Sequence, residues 1–328
     1  MPENIREFTM KFTGKLNSYH IIALGFLVAL YMLWWGISNA GVYSSVPTPL
    51  TSHYVVSTDG NVQEMWSRSG TFLGTSHISL DAAGGVLFAL GTLDPHKNLT
   101  VNAINEEDGN LIWHARYDGR PVTLSATRTN VYVGTLGGAQ VRAYNIRTGE
   151  NVWTKRFFSA SAVEYLNTFD DKLYVRTSND KFYVLQADNG KLTQDWDDDG
   201  WQSRVKYFSE GNEFTTNIIF EKRGNGLGYI TAIDKNTEKP LWESDRNIIS
   251  NVAATEDAVY FLTLDGKLVG LDARSGNMVA TVIFAPSPFV LNSPNASTGR
   301  YFVAVDYNTK MLFAQIGDSY QLFAFKTE

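Results

Sequence analysis

An eleven-residue unit recurs along this chain and limits what it can fold into. Ala103-Ile-Asn-Glu-Glu-Asp-Gly-Asn-Leu-Ile-Trp113 aligns with Ala143-Tyr-Asn-Ile-Arg-Thr-Gly-Glu-Asn-Val-Trp153. Ala232 to Trp242 and Gly270 to Ala280 continue the series, with a small residue first, Asn or Asp third, and Trp (or Ala280) eleventh. Looser copies run from Val184 to Trp196 and from Val56 to Trp66. Trp66, Trp113, Trp153, Trp196 and Trp242 therefore share one repeat position, and among the tryptophans after residue 38 only Trp201 departs from it. Self-similarity at this spacing marks a repeat architecture, in which each unit buries its faces only against its neighbours.

The unit has the chemistry of a hairpin. Strands of period two, such as Gln140 to Asn145, lead into a turn of Asp, Asn, Thr and Gly, and a second strand follows. Gly109, Gly149, Gly190 and Gly276 stand where such a turn needs a left-handed residue. Two further apolar runs precede each hairpin, as at Ser161 to Phe169 and Lys172 to Thr177. About four short strands per repeat is the size of a propeller blade. The repeated tryptophan falls in the outer strand, where it is expected to pack between blades.

The intervals between positions 66, 113, 153, 196, 242 and 280 are 47, 40, 43, 46 and 38 residues. The expectation is an all-β propeller over residues 54–328 with six blades, or seven if His53 to Ser57 forms a strand of its own. The C-terminal runs end before an outer strand, so Asn61 to Trp66 is expected to return and close the ring.

Ahead of the repeats, no Asp, Glu, Lys or Arg occurs from Leu16 to Thr58, and Ile21 to Ile37 is apolar apart from two glycines. At 1.5 Å per residue this reaches roughly 25 Å, close to the hydrocarbon thickness of a bilayer. Tyr19 flanks one end, and Tyr31, Trp34 and Trp35 the other, as interfacial aromatics do. Arg6, Lys11 and Lys15 precede the run and no base follows until Arg68. This asymmetry predicts residues 1–19 in the cytoplasm and a single transmembrane helix at 20–38. A linker at 39–53 and a propeller on the non-cytoplasmic side follow. Ser38-Asn39-Ala40 leaves a cleaved signal peptide as the alternative.

The pattern Ala-x-Asp-x-x-Thr-Gly-x-x-x-Trp resembles the repeat of quinoprotein-dehydrogenase-like propellers. Ala143 to Trp153 matches it nearly residue for residue, with Asn145 in place of Asp. The resemblance implies the propeller architecture, and the small non-catalytic members include a lipoprotein of the bacterial outer-membrane assembly machinery. In this chain a helix would replace the lipid anchor, since it has no cysteine. The resemblance also implies that a quinone-dependent dehydrogenase would carry a vicinal cysteine pair, which is absent here.

No nucleophile elbow, zinc-protease motif or phosphate loop occurs, so no catalytic residue and no cofactor are expected. The five histidines are scattered without ligand spacing. Asp195, Asp197 and Asp199, followed by Gly200, start like a calcium loop, but the twelfth position is Lys206. The net charge of −6 argues against nucleic acid as a partner.

In a four-stranded meander, the connections between second and third strands and those between blades emerge on one face. Thr92–Leu99, Asp197–Ser203 and Glu221–Gly228 all fall there. Asp94, His96, Lys97, Trp201, Lys222 and Arg223 are the expected contacts for protein subunits of a membrane complex. The expected function is a non-catalytic, membrane-anchored scaffold that docks onto a larger membrane complex or assembly machine. The alternative is a sensor or enzyme using the propeller channel for a small ligand or metal.

Overall fold

The structure, a computed structural model, describes residues 55–60, 62–69, 71–72, 80–92, 100–116, 120–169, 171–197, 217–223, 228–245, 247–285, 301–316 and 321–327. The predicted transmembrane segment lies outside them, and among the described residues no helix is long and apolar enough to cross a membrane. They lie in one compact unit, Thr51–Glu328.

The unit is a six-bladed propeller of antiparallel sheets. β1 (Val55–Gly60) and β2 (Val62–Ser69) come first in the chain but serve its last two blades. Blade 1 holds β3 (Thr71–Phe72), β4 (Leu80–Ala83), β5 (Val86–Thr92), β6 (Thr100–Asn105) and β7 (Leu111–Arg116). Both β3 and β4 pair with β5, so the innermost strand of this blade is split.

Blade 2 is β8 (Arg120–Ala126), β9 (Asn130–Leu136), β10 (Gln140–Asn145) and β11 (Asn151–Arg156). Blade 3 is β12 (Val163–Phe169), β13 (Lys172–Thr177), β14 (Lys181–Gln186) and β15 (Leu192–Asp197). Blade 4 shows β16 (Ile218–Arg223), β17 (Tyr229–Asp234) and β18 (Pro240–Glu243) among the described residues. Blade 5 is β19 (Ala253–Ala254), β20 (Ala258–Leu262), β21 (Lys267–Asp272) and β22 (Met278–Ala285). Blade 6 is β23 (Tyr301–Asp306), β24 (Met311–Ile316) and β25 (Gln321–Thr327).

Two pairings close the ring. β2 lies antiparallel to β25, from Val62↔Thr327 to Ser69↔Gln321, and supplies the outer strand of blade 6. β1 lies antiparallel to β22, from Val55↔Ala285 to Gly60↔Ala280, as a fifth strand on blade 5. The segment after His53 is thus a strand, but it extends an existing blade and founds no seventh. The Val56–Trp66 copy of the repeat is not a hairpin either. Its two halves belong to adjacent blades, because only Asn61 separates β1 from β2 and each finds its ladder elsewhere.

Burial follows radial position. The second strands β9 and β20 are buried almost throughout, since neighbouring blades cover both their faces. The outer strands β7 and β11 alternate between exposed and partly buried residues, because only one of their faces meets the next blade. Apolar clusters fill the described gaps between successive blades. Phe313, Leu322 and Ala324 of blade 6, for example, pack with Leu80, Leu87 and Ile104 of blade 1. Burying a side chain such as Phe313 contributes about 1.5–3 kcal/mol.

The repeat positions now have physical roles. The third residue caps the turn between third and outer strands: Asn145 Oδ1 accepts the amides of Arg147 and Thr148, and Asp272 Oδ1 those of Arg274 and Ser275. The eleventh residue reaches the same turn of the following blade. Trp66 Nε1 donates to Glu106 O at 2.7 Å, Trp113 to Ile146 O at 2.8 Å, Trp153 to Ala187 O at 3.1 Å and Trp242 to Ala273 O at 3.0 Å. Each indole also rests on the turn glycine of that blade, Gly109, Gly149, Gly190 and Gly276 in order. These tryptophans are partly rather than wholly buried, because the outer strand leaves one edge of each ring at the solvent.

Ala280 breaks the pattern where the topology does. The following blade is blade 6, whose third and outer strands are β25 and β2, so no turn joins them for an indole to cover. The space beside β22 is taken by β1, which opposes Gly60 to Ala280.

Candidate partner-binding face

The two ends of the propeller differ in the length of their connections. At one end every connection between described strands is at most five residues long, from the single Asn61 to Ala273–Asn277. At the other, nine residues separate β18 from β19, seven separate β5 from β6 and six separate β11 from β12. Val55, where the chain runs into the propeller, stands opposite Ala285 at this second end. Short turns satisfy their own backbone groups. Long connections carry side chains that the fold does not consume.

Asp94, His96 and Lys97 fall between β5 and β6 at the elaborated end; they, Asp199 and Trp201 lie outside the described residues. Asp195 and Asp197 lie in β15, paired as an extended strand with Tyr183 and Lys181. An extended backbone does not curl around an ion as the start of a calcium loop must. Among the described residues no cluster of three or more His, Asp or Glu is placed to hold a metal ion.

Glu221, Lys222 and Arg223 belong to β16 and not to the loop that follows it, a correction to the expected boundary. Lys222 Nζ donates to Ser250 O at 2.8 Å, fastening the blade to the connection that follows it. Arg223 donates to Glu221 through Nε at 3.0 Å and Nη2 at 2.8 Å, and this pairing holds its proton more firmly than usual. Glu221 therefore offsets the charge that Arg223 brings to this end.

One residue at this end escaped the sequence reading. In the connection between β11 and β12, Phe157 is buried and packs in a tilted pair with Tyr183, ring centroids 4.7 Å apart, while Phe158 is 95% exposed. Leu136, at the end of β9, is 41% exposed and bridges to Ala162 of the same connection. An apolar doublet in an inter-blade connection was the available signal, since only one of two adjacent aromatics can face inward.

The short-turn end holds a buried polar clasp between the last and first blades. Glu106 is fully buried at a repeat position where other copies have Ile146, Ala187, Ala273 and the exposed Lys235. Thr309 Oγ1 donates to its Oε2 at 2.7 Å, and Asp306 Oδ2 accepts the amide of Gly85 at 2.9 Å. Burial raises the Glu106 carboxyl to about 8; Thr309 opposes this and the neighbouring Asp306 adds to it. Asp81 accepts the amides of Ala82 and Ala126, yet desolvation outweighs both bonds and raises it to about 7. These carboxyls are tied to backbone and hydroxyl groups of three blades, which is a structural task.

Comparison with known proteins agrees with this architecture. The family model described as outer membrane protein assembly factor BamB matches residues 97–281. A relative from Shewanella oneidensis bearing that same description is 21% identical over 193 residues, covering 53% of this chain and 46% of the relative. The chain thus spans about half the length of that relative. Among solved structures, BamB from Moraxella catarrhalis superposes with a TM-score of 0.47 at 11% identity, covering 81% of this chain and 99% of the other. A chain of the mitotic checkpoint complex gives 0.45 at 11% identity, with 82% and 97% covered.

Proposed function

Because the chain belongs to the propeller family described as outer membrane protein assembly factor BamB, we propose that it is a non-catalytic scaffold for protein assembly. It is tethered by a transmembrane helix at residues 20–38, with residues 1–19 in the cytoplasm, a linker at 39–53 and the propeller on the non-cytoplasmic side. The charge asymmetry about the apolar run supports that topology. The propeller docks onto a membrane protein complex through the end that carries the long connections, with Asp94, His96, Lys97, Trp201, Lys222 and Arg223 as contacts.

The observation that carries this reading is the contrast between the two ends: connections between described strands of at most five residues on one, and of up to nine on the other. A pull-down from native membranes in gentle detergent, read by mass spectrometry, tests it. Trp201→Ala should reduce recovery of the partner, and shortening 93–99, 198–203 and 224–227 together should abolish it while the propeller stays folded. Unchanged recovery by the folded, shortened chain would move the contact elsewhere.

A further inference from the structure

The outer part of blade 2 carries an open groove of about 680 Å³ over β10 and β11. Arg142 and Tyr144 line it from β10, Thr154, Lys155 and Arg156 from β11, and Phe158 forms its rim. Three cations and no carboxylate line this groove, on a chain whose net charge is −6. Arg142 donates from Nε to Gln140 at 3.2 Å. Among the described residues neither Lys155 nor Arg156 has an ion-pair partner.

Among the described strands β11 stands at the edge of its sheet and pairs only with β10, so no described strand takes up its outer row of amides and carbonyls. The corresponding strand of blade 5, β22, has the same edge occupied by β1 along six residues. An outer strand of this repeat therefore accepts a fifth, antiparallel strand. A strand added beside β11 would place alternate side chains on the face of Thr154 and Arg156, about 5 Å from them. Carboxylates at those positions would meet Arg142 and Arg156, which share that face while Lys155, opposite Val141, projects from the other, and an apolar side chain at the end would meet Phe158.

We propose that this groove binds an extended acidic segment of a partner protein, added antiparallel to β11 as β1 is added to β22. The site lies on the outer wall of blade 2, apart from Trp201 and the long connections, and does not rest on the reading of that face. Backbone pairing supplies affinity in such additions, and alternate side chains supply selectivity.

The test uses the full chain in a non-ionic detergent and a fluorescein-labelled peptide of alternating glutamate and valine, followed by anisotropy. Saturable binding that weakens in high salt is expected. It should fall roughly tenfold or more in the Arg142→Glu, Arg156→Glu double variant, and likewise for the peptide N-methylated at alternate amides. Trp201→Ala should bind the peptide normally. Absence of saturable binding would overturn the proposal and leave Lys155 and Arg156 as guards of a sheet edge. Equal affinity for a peptide with lysine in place of glutamate, for the N-methylated peptide, or in the double variant would also overturn it. So would displacement of the peptide by anionic vesicles at matched charge. If the double variant does not fold, Arg156→Ala, at an exposed position, repeats the measurement.

Discussion

Trp153 and Gly190 compete for one space: a Cβ on Gly190 would stand 2.6 Å from Cε3 of the indole. Gly190 also has φ +68°, where a side chain is strained whatever the room around it. Trp153→Ala is expected to cost about 3–5 kcal/mol. Gly190→Ala should destabilise through both clash and backbone. With Trp153 already truncated the clash disappears, so the double variant should be more stable than the sum of the singles by about 1 kcal/mol or more. Urea unfolding of the four proteins measures this; strict additivity would mean that the contact does not hold the blades.

Ala280→Trp restores the repeat letter but not the site. Ala280 is buried, β1 opposes it with Gly60, and blade 6 offers no turn glycine beneath it. Overpacking there is expected to lower stability by about 1–3 kcal/mol. A rise in the thermal midpoint would show that the seam between blades 5 and 6 accommodates an indole as the other gaps do.

The clasp at Glu106 predicts a pH dependence. Its folded value of about 8 lies above the ordinary 4.5, so the native state keeps a proton that the unfolded chain has released. Stability is therefore fullest below 4.5 and falls as pH rises through about 8, by at most about 1.4 kcal/mol per pH unit for this group. Asp81, raised from 3.8 to about 7, adds to the same fall and completes its share earlier. Glu106→Gln stays neutral and keeps an acceptor for Thr309, so the unfolding midpoint should vary less with pH. An equal slope in the variant would assign the dependence to other groups.

The tether makes a separate prediction. Protein purified from membranes should keep residues 20–38 and resist extraction by alkaline carbonate while yielding to detergent. A mature N-terminus at Gly41, read by sequencing, would replace the helix with a cleaved signal.

Much of this architecture was legible because one repeat position reports on two blades at once. A tryptophan at the eleventh place and a glycine at the seventh are two halves of one contact, and their recurrence gave the blade register directly. The closing strand was legible too, since the C-terminal runs stop short of an outer strand and Trp66 carries the repeat mark. The strand at Val55–Gly60 was readable as a strand but not as a fifth member of blade 5, because its partner β22 lies more than 200 residues away. Lys222 and Arg223 looked like loop residues because their charges hide the alternation that a strand shows elsewhere. Glu106 passed unnoticed because another copy also carries a charge at that place, the exposed Lys235, so nothing in the repeat marked this one as buried. The groove on blade 2 had no motif to read, being made by cross-strand neighbours rather than by any run of sequence.

The closure of the ring also sets a clock on the molecule's making. β2 leaves the ribosome before any blade exists, and its partner β25 follows about 250 residues later. Joining ends across that length rather than across a 40-residue blade costs only about 1.6 kcal/mol in chain entropy, so the delay is one of time and not of equilibrium. Throughout the delay β2 presents a bare ladder of amides, although the Gly109 turn on which Trp66 rests is made early. A chain halted anywhere before Gln321 stays in that condition permanently. β25 thus works as the latch on the ring: until it is made, β2 has no partner among the described strands.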